Sequence, residues 1–283
     1  MVEAATRHEA QRKLLVSGFR AQLMADLMIA AHCSPFVEGA LGWAGSTTAL
    51  MLFLAPLVTV RAILRDKTVG EYSPTPYVVS AMNCALWSVY GLAHLASEAQ
   101  VIATNGPGLL LEVGYVAVFV AYETTPAARS ALRARAAAAL GATAAFCGAC
   151  FALARGSADA AASAVGWGAV VLNVLMYGAP LDQLAKVVRE RSVRSMPLGL
   201  SLCTLATATC WSGFALCARD AHIFLPNALG VALGVAQLAL YARYYDRAHF
   251  KTRRTAESER SVGGDGAMAR LCEPLDPAAS PDS

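Results

Sequence analysis

Charge is what this sequence is shortest of. Asp, Glu, Lys and Arg make up only 15% of its 283 residues, against roughly a quarter in soluble domains. The shortage is uneven. Stretches without a charged side chain run from Gly39 to Val60, Thr75 to Ser97, Ala136 to Ala154, Ala160 to Leu181, Met196 to Ala218 and Ala221 to Ala242, and Glu112 alone interrupts a seventh from Ala99 to Tyr122. A bilayer crossing takes roughly 20 apolar residues at about 1.5 Å rise each. An Ala-rich soluble helical protein is excluded by this clustering. In lipid every backbone polar group needs a partner, and barrel strands are shorter and alternate in polarity, so seven α-helices are expected.

Other absences narrow the function. No span carries His-Glu-x-x-His or Gly-x-Ser-x-Gly, and no acid–base pair appears, so an enzyme with catalytic residues is not expected. The eight cysteines suggest no disulfide framework. Cys84, Cys147, Cys150, Cys203, Cys210 and Cys217 fall inside spans, where a free thiol behaves as a small hydrophobe. Cys147-x-x-Cys150 lies mid-helix without a second ligand pair, which reads as filler rather than a zinc or redox motif. Neither metal nor cofactor is implied. The net charge of +3 follows from topology and makes no case for nucleic acid.

What charge there is alternates between loops. Arg61, Arg65 and Lys67 form one cluster, Arg129, Arg133 and Arg135 a second, and Lys186, Arg189, Arg191 and Arg194 a third. The tail adds Arg243, Arg247, Lys251, Arg253 and Arg254, whereas the other loops hold only Arg155 and Arg219. Basic loops stay in the cytosol, so the N-terminus is expected outside and the C-terminus inside, in the plasma membrane. Residues 1–38 read as a poorly ordered extracellular extension and 246–283 as a disordered cytosolic tail.

The chain also repeats itself. Ala55-Pro56-Leu57 recurs as Ala179-Pro180-Leu181, Arg65-Asp66 with Thr68-Val69 as Arg189-Glu190 with Ser192-Val193, and Trp87 as Trp211, all at an offset of 124 residues. Asn105-x-x-Gly108 recurs as Asn227-x-x-Gly230 and Tyr122 as Tyr244 at an offset of 122. Residues 39–122 and 160–245 are therefore two copies of a three-helix unit. Three crossings end on the side opposite their start, so a second copy in the same orientation needs one extra crossing. Residues 123–159, with the Ala-rich fourth span, supply that linker. The fold class is an all-α membrane protein of 3+1+3 helices in parallel repeats, an arrangement that places substrate at the repeat interface near the midplane.

Leu54-Ala-Pro56, Gly70-Glu-Tyr-Ser-Pro-Thr-Pro-Tyr77 and Asn83-Cys-Ala-Leu-Trp-Ser-Val-Tyr-Gly91 in the first repeat carry a family resemblance. So do Met176-Tyr-Gly-Ala-Pro-Leu181, Ser192-Val-Arg-Ser-Met-Pro197 and Pro226-Asn-Ala-Leu-Gly230 in the second. With these motifs, over roughly 41–245, the chain resembles the SWEET (MtN3/saliva) sugar uniporters. The resemblance implies facilitative, bidirectional transport of a small neutral sugar across a lipid bilayer by alternating access. A homo-oligomer fits the family, although no motif here specifies one.

Asn105 and Asn227 are the leading candidates for sugar binding. An amide within a span faces the bundle interior or a wet cavity; a hydrogen bond between helices is the alternative use. Their symmetry favours a binding pair, and each amide offers donors and an acceptor for sugar hydroxyls. Trp87 and Trp211 sit mid-span, away from the interfacial belt where Trp is usual, and the resemblance places them against the sugar ring. Leu52 and Met176, four residues before Pro56 and Pro180, and Asn83 and Thr207, four before the two Trp, resemble the bulkier pockets of hexose-selective members. They imply a monosaccharide such as glucose. Asn173 completes the binding set. The resemblance makes Pro56, Pro76, Pro180 and Pro197 four hinges, with kinks expected in spans 1, 2, 5 and 6, and makes Tyr90 and Asp220 an extracellular gate. The repeat mate of Tyr90 is Phe214, where some members have a second Tyr.

Two alternatives remain beside this reading. Glu112 is the one acid inside a span, which by default suggests a proton relay, so a proton-coupled sugar carrier or a PQ-loop amino-acid carrier is the rival. A seven-helix receptor shares the helix number, but the three-helix repeat and the absence of a retinal Lys in the last span count against it.

Overall fold

A computed structural model describes residues 33–245; the expected terminal extension and tail lie mostly outside these residues. Seven helical spans form the bundle, and no strand occurs among the described residues. Span 1 comprises α1 (Pro35–Leu54) and α2 (Leu57–Asp66), span 2 is α3 (Thr75–Ala93), span 3 is α4 (Ala99–Tyr122) and span 4 is α5 (Pro126–Leu153). Span 5 comprises α6 (Ala158–Met176) and α7 (Gly178–Glu190), span 6 is α8 (Leu198–Ala218), and span 7 is α9 (Ala221–Tyr245). The first helix starts at Pro35, ahead of the charge-free run. Ser34 Oγ accepts the Val37 N–H, and Glu38 in the first turn suits the positive end of the helix dipole.

Six spans are long and apolar enough to cross a membrane; α3 is the exception. It carries Asn83, Ser80, Ser88 and Tyr90 along its length. It packs against α4, α5 and α6, so its polar residues are spent on neighbours rather than lipid.

The repeat is written into the backbone. Spans 1 and 5 both break near their prolines, and their second halves both end on a left-handed basic residue, Lys67 (φ 58°) and Arg191 (φ 50°). Pro56 begins α2, and Pro180 lies in the first turn of α7 just after the break at Tyr177. Pro76 and Pro197 behave differently from expectation. They stand at the first turn of α3 and at the N-cap of α8, where no helix hydrogen bond is available to lose, so spans 2 and 6 start at these residues rather than kink there.

The buried core shared between the repeats lies at one end. α1 lies along α8 and α3 along α6, whereas α2 packs on α4 and α7 on α6, each inside its own repeat. One core cluster, including Leu86, Trp87, Tyr90, Val101, Val165, Trp211, Phe214 and Ile223, joins both repeats at the end away from the basic loops. At the basic end the core is divided. Ile63, Val69, Phe119 and Leu132 belong to the first repeat and linker, and Val187, Val193 and Met196 with Leu240 and Tyr244 to the second.

Cysteine usage departs from the sequence reading. Cys217 is not a free intramembrane thiol; it forms a disulfide with Cys33, joining the start of span 1 to the end of span 6. The partners are 184 residues apart, and only the packing of α1 on α8 brings them together. Cys84, Cys147, Cys150, Cys203 and Cys210 are free.

Candidate functional site

A cavity of about 120 Å³ lies between the repeats, lined by Ala49, Phe53, Asn83, Trp87, Val101, Thr104, Asn105, Asn173, Trp211, Ile223 and Asn227. No lining residue bears a charge. Of the candidate binding residues, Asn105, Asn227, Trp87, Trp211, Asn83 and Asn173 meet here, and Leu52, Met176 and Thr207 are not among the lining residues. Thr207 donates its hydroxyl to the Cys203 carbonyl of its own helix at 2.8 Å. Phe53, one residue past Leu52, takes the wall instead.

The two amides are held alike. Asn105 Nδ2 donates to the Val101 carbonyl at 2.9 Å, and Asn227 Nδ2 donates to the Ile223 carbonyl at 2.7 Å. Each bond reaches one turn back and uses one N–H, so the second N–H and the amide oxygen are left for the cavity. Asn83 Oδ1 is buried with no partner in the protein. Such an acceptor costs about 1–3 kcal/mol until a donor reaches it, and a sugar hydroxyl is such a donor.

The indoles are also symmetric. Trp87 stands edge-on to Tyr90 at 5.5 Å and 85°, and Trp211 edge-on to Phe214 at 5.3 Å and 83°. Both Trp are at least nine-tenths buried. Glycines make this closeness possible: a Cβ on Gly45 would lie 3.0 Å from the Trp211 ring.

On the basic side of the amides, Gly108 sits under the ring of Phe53 and Gly230 under the hydroxyl of Tyr177; an added Cβ would lie 2.7 and 2.9 Å away respectively. Phe53 and Tyr177 are repeat mates beside the two helix breaks. The Phe53 carbonyl, just ahead of the break at Pro56, is taken up by Tyr115 Oη at 2.7 Å, and Tyr177 Oη donates to the Pro226 carbonyl. Each broken helix is thus tied to the third helix of its own repeat, in opposite directions. Glu112 lies two turns beyond Asn105 outside the cavity lining; Ser80 Oγ donates to its Oε1 at 2.8 Å, and its Oε2 is buried without a partner.

Above the indoles the repeats meet. Tyr90 Oη donates to Asp220 Oδ2 at 2.6 Å, while Asp220 Oδ1 accepts the backbone N–H groups of His222 and Ile223 at 2.7 and 3.2 Å, capping α9. His222 Nδ1 lies 3.3 Å from Tyr90 Oη and its Nε2 3.1 Å from Ser163 Oγ. Burial opposes the charge on Asp220, but the bonds from His222, Tyr90 and the Ile223 N–H outweigh it and hold the carboxyl below its ordinary range. The same contact recurs on the other seam with Phe214 in place of Tyr90 and Gln100 in place of His222: Gly166 is pinched by Tyr90 and His222, and its mate Gly42 by Phe214 and Gln100. Sequence reading missed His222, Ser163, Gln100 and Gly42. The offset of 122 that pairs Asn105 with Asn227 also pairs Gln100 with His222, and was the signal that could have found them.

Comparison with known proteins accords with this geometry. A family model described as "Sugar efflux transporter for intercellular exchange" matches residues 39–127 and 163–249, the two repeats without the linker. The rice (Oryza sativa subsp. indica) bidirectional sugar transporter SWEET4 is 38% identical over 213 residues, covering 74% of this chain and 80% of its own. The Arabidopsis thaliana bidirectional sugar transporter SWEET7 is 34% identical over 251 residues, covering 86% and 94%. A eukaryotic SWEET transporter solved at 3.7 Å superposes with a TM-score of 0.71 at 30% identity, over 75% of this chain and 98% of that one. With matched repeats, matched helices and a shared all-helical bundle, the chain belongs to the SWEET (MtN3/saliva) family of sugar transporters.

Proposed function

We propose that this protein carries a neutral monosaccharide such as glucose down its gradient, in either direction, by rocking of the two repeats about one central site. The observation that carries the reading is the cavity itself. It is uncharged, holds two identically anchored amides between two identically braced indoles, and lies between an end where the repeats share a core and an end where they do not. Indoles pack on the C–H faces of a pyranose while the amides and Asn83 meet its hydroxyls. The uncharged lining disfavours amino acids, whose ammonium and carboxylate call for countercharges. Phe53, set over Gly108, occupies space a second sugar ring needs.

In this conformation the Tyr90–Asp220 bond and the shared core close the repeats at one end of the cavity, and the core is divided at the basic end. Two observations favour the basic end in the cytosol: the placement of Lys and Arg, and a disulfide at the opposite end, which persists in an oxidising compartment. The plasma membrane is the setting that suits both. Pro56 and Pro180 supply the flexible joints within spans 1 and 5, and Pro76 and Pro197 fix the starts of spans 2 and 6.

Uptake of labelled glucose in a cell lacking its own hexose carriers tests the reading, with Asn105→Ala as the weakened control; no uptake from correctly inserted protein sinks it. Proton-coupled sugar transport is the second reading, favoured by the unpartnered Oε2 of Glu112. Glucose uptake unchanged by collapse of the proton gradient excludes it.

A further inference from the structure

Glu98 stands in the first repeat where Asp220 stands in the second, at the offset of 122 residues that relates Asn105 to Asn227. Each is the residue before the third helix of its repeat. Their surroundings differ sharply. Asp220 accepts from Tyr90 and from two backbone N–H groups. Glu98 makes no side-chain cap to α4, is only 6% exposed, and has an oxygen, Oε2, buried with no donor. The residue that would answer Tyr90 by symmetry is Phe214, which has no hydroxyl to give. A second acid has been placed in the outer closure without the donors that stabilise the first.

The groups facing Glu98 make its charge more costly still. Asp220, just ahead of α9, and Glu38 of α1 act on it as like charges, Tyr90 of α3 lies close enough to interact with it, and His222 and His94 flank Tyr90. Burial pushes the Glu98 carboxyl up to about 8, and Asp220 adds to this through its charge and through an acceptor that only the protonated acid can use.

We propose that Glu98 is a positioning residue of the outer gate, a protonated acid that donates to Asp220 while the gate is shut and gives its proton to outside water as the gate opens. This rests on the alternating-access reading above. Asp220 is thereby fixed as the acceptor of Tyr90 by a neutral neighbour rather than repelled by a charged one. Release and recapture both exchange with the outer compartment, so no proton crosses the membrane and transport stays uncoupled.

The sign follows from linkage. With the gate shut the acid titrates near 8; hydrated in the open mouth it returns toward its ordinary 4.5. Below the lower value both forms are protonated and the preference for closure is complete. Between the two values each pH unit shifts the equilibrium toward opening by up to about tenfold, and above the upper value nothing further is gained.

Spin labels at exposed Leu95 and Asp159, which flank the α3–α6 seam, read the mouth directly in liposome-reconstituted full-length protein without sugar. The open-to-shut ratio is expected to rise about tenfold or more from pH 6 to pH 8. In Glu98→Gln, which keeps a donor but cannot titrate, the distance is expected to stay short and flat; in Asp220→Asn the wild-type midpoint is expected to fall, which preserves the test if Glu98→Gln does not fold. A flat wild-type profile, a slope surviving in Glu98→Gln, or a slope lost instead in His222→Gln overturns the proposal. Because the distance is read without transport, a titrating mouth in a protein that moves no glucose refutes the sugar reading alone, and glucose flux with a non-titrating mouth refutes Glu98 alone.

Discussion

An asparagine tied by one N–H to the carbonyl a turn behind it has lost its rotamer freedom before any ligand arrives. The bonds from Asn105 to Val101 and from Asn227 to Ile223 do this in both repeats. Removing either amide leaves the cavity intact and deletes a hydrogen bond worth about 1–1.5 kcal/mol. Asn105→Ala and Asn227→Ala are therefore expected to weaken sugar affinity about tenfold each, measured by concentration dependence of uptake. The glycines under Phe53 and Tyr177 set a different test. Gly108→Ala drives a Cβ into a ring at 2.7 Å, and overpacking of this kind costs about 1–3 kcal/mol. A thermal midpoint lowered by several degrees in detergent is the expected result, and an unchanged midpoint contradicts the packing described. At this scale the sequence was legible where symmetry spoke. Asn105, Asn227, Trp87 and Trp211 were found as matched pairs, whereas Leu52 and Met176 were chosen by counting a helical turn back from a proline. A helix that breaks at Pro56 does not keep its register through the break, and one residue turns the side chain by about 100°. Ala49 and Phe53, themselves a turn apart, face the cavity in its place.

At the scale of the helix, the four prolines divide into two jobs that a sequence cannot separate. Pro56 and Pro180 sit beside breaks inside spans, and Pro76 and Pro197 at helix starts. Restoring a backbone N–H at a break lets the helix close up; at a first turn it has no carbonyl to meet. Pro56→Ala and Pro180→Ala are expected to slow sugar exchange severalfold with the fold retained, and Pro76→Ala to slow it much less. Equal losses in all four, measured by counterflow in liposomes, count against this division. The helices themselves were readable from charge-free runs, because nothing but helix satisfies the backbone in lipid. α3 was readable only as one of the set. Its polar residues are intelligible once α4, α5 and α6 are seen around it.

Across the whole molecule, under the alternating access proposed above, the shared core at one end and the divided core at the other mark one of two conformations. A cysteine in place of Phe53, in protein whose free thiols have been replaced, is expected to react with an impermeant maleimide applied from the basic side and to resist it from the other. Equal reactivity from both sides, or protection from the basic side, contradicts the conformation described. No sequence pattern announces such a state, since the residues that seal the far end, Phe214 and Val165 among them, are ordinary apolar residues of their spans.

The bond between Cys33 and Cys217 has a consequence at the level of chain connectivity. It closes a covalent ring over a separation of 184 residues, and six of the seven spans form part of that ring. A protease cut in any loop inside it, at the linker arginines for example, opens the ring without dividing the molecule. The two fragments are expected to migrate as one band on a denaturing gel until a reductant is added. In the membrane, a nicked carrier would still have both halves held at the edge of the α1–α8 seam away from the basic loops.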